Sequence, residues 1–216
     1  MKTQFFFLIM VFCINITAIS QCNNDNQKDY FHIIENWQDY DFKIEKEIID
    51  VDNIKNLEIV DVLFFSNSKI INFQNIIKAE NLERLYISDC FLDSSFEVIS
   101  ELKKLKKLTI TFCKLADINF LGKLKSLEYL YLYYNNISDN NILKNLSNLI
   151  SLDLRNNNIS DITSLTNLSK LLYLNLRNNN ISDFSPINNL VNLTNLITDR
   201  SCDGRNEVTQ GMGTRE

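Results

Sequence analysis

Leu127-Glu-Tyr-Leu130-Tyr-Leu132-Tyr-Tyr-Asn135-Asn-Ile137-Ser-Asp139, Leu149-Ile-Ser-Leu152-Asp-Leu154-Arg-Asn-Asn157-Asn-Ile159-Ser-Asp161 and Leu171-Leu-Tyr-Leu174-Asn-Leu176-Arg-Asn-Asn179-Asn-Ile181-Ser-Asp183 are three copies of one pattern. Their first leucines fall 22 residues apart. Looser copies precede them, as Leu57/Val60/Val62 with Phe65 in the asparagine place, Leu82/Leu85/Ile87/Cys90/Leu92 and Leu105/Leu108/Ile110/Cys113/Leu115. A partial copy, Leu193/Leu196, follows. Tandem self-similarity at this period signals stacked supersecondary units, each unable to bury its apolar face alone.

The spacing inside a copy dictates its local structure. Leu152 and Leu154 alternate with Ser151, Asp153 and Arg155, so a short strand turns two leucines inward and three polar side chains outward. The chain must then turn, and its inward-facing backbone groups lose water. An amide at Asn157 offers two donors and an acceptor to satisfy them. Asn135, Asn157 and Asn179 therefore stack as a ladder, one per repeat. Ile162, Leu165, Leu168 and Leu171 recur every three residues, as a 3₁₀-like return segment requires.

The pattern L-x-x-L-x-L-x-x-N-x-I resembles the leucine-rich repeat, and in particular the 22-residue internalin-like class of bacterial surface proteins. Its closing I-x-D-I-x-P-L is seen as Ile159-Ser-Asp161-Ile162-Thr-Ser-Leu165 and Ile181-Ser-Asp183-Phe184-Ser-Pro186-Ile187. The resemblance covers residues 54–198 in about six to seven repeats. It implies an α/β fold, a right-handed solenoid with a parallel sheet on its concave face and irregular or 3₁₀ segments on its convex face. It also accounts for Cys90 and Cys113, since the family accepts cysteine at the ladder position. We expect buried thiols there, although adjacent strands about 4.8 Å apart leave a disulfide within reach. Phe65 at the ladder position implies an irregular first turn. Asn140, where neighbouring repeats carry Ile118, Ile162 and Phe184, implies a less well packed one.

Outside the repeats, Met1-Lys2-Thr3-Gln4 leads into an apolar run from Phe5 to Ile16, followed by Thr17-Ala18-Ile19-Ser20. This is the form of a secretory signal peptide over residues 1–20, cleaved after Ser20 and directing the chain to the cell surface or beyond. The run is short of the roughly 20 residues a transmembrane helix needs. Cys22 raises a lipid-anchored alternative, the only route to a membrane, although the preceding residue is Gln21 rather than a small one. Residues 21–53 read as an N-terminal cap, partly helical, through Phe31, Ile34, Trp37, Phe42, Ile44, Ile48 and Ile49. Residues 199–216 hold almost no large apolar side chains and read as a poorly ordered tail, or as an altered gene end.

Composition removes most chemistry. The net charge is −5 across 216 residues, which argues against nucleic acid as a partner. The lone histidine, His32, precludes a multi-histidine metal site, and its acidic neighbours Glu35 and Asp39 read as structural. Gly204, Gly211 and Gly213 are three of only four glycines and crowd the last residues, leaving none for a phosphate-binding loop. We therefore expect no catalytic, cofactor or metal site. Cys22 and Cys202 lie near opposite ends of the solenoid and cannot pair within one chain. The lysines between Lys103 and Lys125 surround a repeat and read as a solvated surface. The Asn-x-Ser/Thr sequons follow from the repeat itself.

What remains is the outward side of the sheet. Its rows run Arg84, Tyr86, Ser88; Lys107, Thr109, Thr111; Tyr129, Tyr131, Tyr133; Ser151, Asp153, Arg155; Tyr173, Asn175, Arg177; and Asn195, Ile197, Asp199. Five of the eight tyrosines fall here, beside Arg84, Arg155 and Arg177. Tyrosine and arginine dominate binding hot spots. Tyr86, Tyr129, Tyr131, Tyr133, Asp153, Arg155, Tyr173, Asn175 and Arg177 are the expected contacts to a protein ligand of a monomeric module. A structural or anchoring role within a larger surface protein, or a carbohydrate ligand, are the rival readings. Seven strands give a face about 34 Å long and about 10–13 Å wide, on the order of 400 Å². That is half of the roughly 800 Å² per partner in a standard interface, so a protein partner must also touch the flanking loops.

Overall fold

The computed structural model describes residues 47–92 and 95–199. The signal segment, most of the cap including His32, the tail, Cys22 and Cys202 lie outside them. Ten strands alternate with 3₁₀ turns, and no α-helix occurs among the described residues. The strands are β1 (Glu47–Asp50), β2 (Val62–Ser66), β3 (Ser68–Ile71), β4 (Arg84–Ser88), β5 (Phe91–Leu92), β6 (Lys107–Thr111), β7 (Tyr129–Tyr131), β8 (Ser151–Asp153), β9 (Tyr173–Asn175) and β10 (Asn195–Ile197). Seven of them form one parallel sheet in the order β10-β9-β8-β7-β6-β4-β2, while β1-β3-β5 make a second. We call each strand of the larger sheet with its return segment a rung.

Inward leucines drive the stacking. Leu85, Ile87, Leu108, Ile110, Leu130, Leu132, Leu152, Leu154, Leu174 and Leu176 are buried in one continuous core. Each buried side chain contributes about 1.5–3 kcal/mol, but only because the rungs on either side close over it. The return segments are short 3₁₀ turns such as Asn119–Lys123, Asn141–Asn145, Thr163–Leu165 and Ser185–Ile187. The recurring aspartate starts each one. Asp117, Asp139, Asp161 and Asp183 accept the amides of Asn119, Asn141, Thr163 and Ser185 at 2.8–2.9 Å.

The asparagine positions form a hydrogen-bonded ladder. Asn157 Nδ2 donates to the carbonyls of Leu132, Leu154 and Arg155, and its Oδ1 accepts from Ile137 N. Asn135 and Asn179 repeat this arrangement one rung away on either side. At Cys90 and Cys113 a thiol instead approaches the carbonyl two residues back, Ser88 O at 3.3 Å and Thr111 O at 3.1 Å. Both cysteines are free thiols.

Two expectations need correction. Val62 pairs with Arg84, Leu63 with Leu85 and Phe65 with Ile87. Phe65 is therefore an inward core residue, and the ladder position of the first rung is Ser68, which is buried with Oγ 2.6 Å from Ser66 O. Counting from Leu57 misplaced the frame by three residues, because Val60, 22 before Leu82, also has an apolar residue three places earlier. Asn140 is not slack either. It is buried, donating to Asp161 O at 2.8 Å and accepting from Ser164 Oγ at 2.6 Å. The cap is also part strand here: β1 pairs in parallel with β3, Glu47 against Ser68.

Candidate binding surface

Register fixes the outward rows. Val62, Arg84, Lys107, Tyr129, Ser151, Tyr173 and Asn195 stand in one row, and Phe64, Tyr86, Thr109, Tyr131, Asp153, Asn175 and Ile197 in the next. Ser66, Ser88 and Thr111 begin a third, which continues through the repeat positions of Tyr133, Arg155 and Arg177. The frame correction adds Phe64, which is 57% exposed and stacked on Tyr86 with ring centroids 4.3 Å apart. Sequence reasoning missed it for want of the 22-residue count back from Leu82.

Lys107 organises the next stretch. Its ammonium lies 5.6, 5.9 and 5.4 Å from the ring centres of Tyr86, Tyr129 and Tyr131. Each distance is within cation–π range, so three rings on three rungs hold one charge. Tyr131 and Tyr133 are buried at 7% and 4% exposure, while Tyr86, Tyr129 and Tyr173 remain half-buried. Burial pushes the Tyr131 hydroxyl up to about 12, and those of Tyr133 and Tyr173 upward as well, so all stay protonated donors.

Two rungs along, Asp153 is 2% exposed, an unusual place for a carboxylate on an outward row. Burial pushes its acid up to about 6, against the opposing pull of the Arg155 guanidinium. Asp153 Oδ1 accepts from Arg155 N at 3.1 Å. Arg155 Nε lies 3.4 Å from Asp153 Oδ2 but is not aligned to donate to it, so that contact is Coulombic. The guanidinium carbon sits 4.4 Å from the Tyr133 ring centre. Asn175 sits at the equivalent place on the next rung, accepting from Arg177 N at 3.1 Å, and Arg177 is exposed.

Among the described residues, Thr109 Oγ1 and Arg155 Nε are the buried side-chain polar atoms with no hydrogen-bond partner, and both lie on this face. Each such atom costs about 1–3 kcal/mol of desolvation. The lysines elsewhere are engaged by neighbours one rung away, Lys106 with Glu83 at 2.9 Å, Lys123 with Glu101 at 3.1 Å and Lys104 with Asn81 at 2.7 Å. Being exposed, these pairs contribute little. No group of metal-ligating side chains is found among the described residues.

A profile of paired leucine-rich repeats matches residues 125–167. No curated protein matches the sequence. Among solved structures, an internalin of Listeria monocytogenes is 28% identical with a TM-score of 0.58, over 62% of this chain and 39% of its own. A leucine-rich-repeat protein of Leptospira interrogans is also 28% identical with a TM-score of 0.60, over 64% of this chain and 37% of its own. The ectodomain of a plant receptor kinase from Arabidopsis thaliana, solved in complex with Casparian strip integrity factor 2, shares the fold at 24% identity and a TM-score of 0.54, over 64% of this chain and 18% of its own. The chain thus spans about two fifths of the length of the two bacterial neighbours or less. With its tandem 22-residue pattern, its parallel sheet and its ladder, the chain is a leucine-rich-repeat protein whose solenoid is similar to that of an internalin.

Proposed function

We propose that the chain is a secreted or cell-surface module that recognises a protein non-covalently through the outward face of its seven-stranded sheet. One observation carries the reading: the unpartnered buried polar atoms gather on that face, among packed tyrosines and a buried aspartate. Polar groups held short of hydrogen bonds lower fold stability, and such groups concentrate where a ligand completes them. The rings and guanidinium are already locked by stacking, so little side-chain entropy is lost on docking. Export rests on the Met1–Ser20 pattern, and a monomer is the simplest state for a solenoid acting this way.

The test uses an array of recombinant secreted proteins and receptor ectodomains, with a glycan array beside it. Tyr131 and Tyr133 are too buried to be clean probes, since truncating them disturbs packing. Tyr129→Ala with Arg177→Ala removes a half-buried ring and an exposed charge instead. Binding to a protein on the array, weakened at least tenfold by the double substitution at unchanged melting temperature, is the expected result. Binding untouched by it refutes the site. Glycan binding alone transfers the face to the carbohydrate reading. The partial coverage of the longer bacterial neighbours favours a third reading, a segment of a larger surface protein; a longer mass for the native chain would establish that.

A further inference from the structure

At the turn that leaves each strand, one residue adopts a left-handed backbone: Asn67, Asp89, Phe112, Tyr134, Asn156 and Asn178, with φ between 46° and 57°. Asparagine and aspartate enter this region readily, whereas bulky side chains rarely do. Four rungs follow that rule. The two that break it are adjacent, and both carry aromatic rings. The fold does not ask for them, because the same turn closes with asparagine at Asn156 and Asn178.

The rings form one object. Phe112 and Tyr134 stack with centroids 4.4 Å apart and planes within 13°. Tyr133 meets both edge-on, at 6.4 and 6.0 Å. Arg155 lies against Tyr133, and Tyr134 is still 38% exposed. The ledge thus continues the sheet face around its rim, and it adds surface where the face alone is too small for a standard interface. Charge identifies what it meets. Arg84, Lys107, Arg155 and Arg177 against Asp153 and Asp199 leave this face positive on a chain of net charge −5.

We propose that the Phe112–Tyr134 ledge is a second contact surface for the same partner, receiving an apolar side chain flanked by carboxylates. The inference rests on the sheet-face reading above. Strain at two rungs is retained because the rings serve a partner rather than the turn.

The test pans a phage-displayed library of random twelve-residue peptides on the full chain. Peptides with an aromatic or leucine residue beside aspartate or glutamate are expected to enrich. Phe112→Asn with Tyr134→Asn restores the residue the other rungs use. It is expected to weaken those peptides at least tenfold while the melting temperature stays level or rises. A fall of more than about 5 °C shows the rings holding the fold and overturns the ledge. Undiminished peptide binding overturns it too, as does a library that yields no peptide or one rich in lysine and arginine. Tyr129→Ala with Arg177→Ala separates the two claims. Peptides lost only on that variant leave the sheet face standing without the ledge. Peptides lost only on the asparagine variant leave the ledge standing and sink the sheet face.

Discussion

The solenoid is built in two idioms. From Asn135 onward each ladder step is a carboxamide that serves several backbone groups. Before it, Ser68, Cys90 and Cys113 each reach mainly one carbonyl, two residues back. Strand length changes at the same boundary: β2, β4 and β6 have five residues, while β7 to β10 have three. The second sheet, β1-β3-β5, exists only on the serine and cysteine side. The difference teaches that the turn needs its inward carbonyls satisfied, and that it accepts either side-chain amides or extra strand pairing as the means.

Asn157→Ala breaks the comparison hardest. It strips four hydrogen bonds from a buried turn, and the stranded backbone groups have no second sheet to fall back on. We expect a loss of about 3–5 kcal/mol in urea unfolding. A loss under about 1 kcal/mol would mean that the ladder is ornamental.

Much of this was legible beforehand. Leu127, Leu149 and Leu171 set a period that no other architecture explains, and the amide chemistry of asparagine assigned the ladder. The first rung was misread because Leu57, Val60, Val62 and Leu63 are all apolar, and hydrophobic spacing alone admits two frames. Burial at Tyr131, Tyr133 and Asp153 was not legible at all. Alternation says which side of a sheet a residue takes, but not whether its outward neighbours close over it.

The next expected effect tests how much burden the regular half carries. Asp153 holds its proton to about pH 6 when folded and to about 3.8 when unfolded. The folded chain therefore binds the extra proton in that window. Stability from this group is greatest below it, declines as pH rises from about 4 to 6, and levels off above. Asp153→Asn copies what Asn175 already does one rung on. It should raise stability at pH 7 by about 1–3 kcal/mol and flatten the acid limb of a melting-temperature profile. A destabilised variant would mean that the Asp153–Arg155 pair holds the fold rather than burdening it.

Cys90→Ala should have the smallest effect, about 1 kcal/mol in the same urea titration, since one weak thiol contact and a small buried volume are lost. A loss matching that of Asn157→Ala would erase the distinction between the two idioms. Thiol chemistry gives a further check. Burial pushes Cys113 up to about 11, so labelling of the folded chain at pH 8 should be far slower than in denaturant.

The left-handed position has an evolutionary consequence. Its amide is held by the following rung, as in Tyr134 N to Arg155 O and Asn156 N to Arg177 O, whatever side chain it bears. Path and surface are thereby decoupled at one residue per repeat. A lineage can exchange asparagine for an aromatic ring there by substitution alone, with no loop to lengthen and no strand to re-register, so specificity is free to drift faster than the scaffold that displays it.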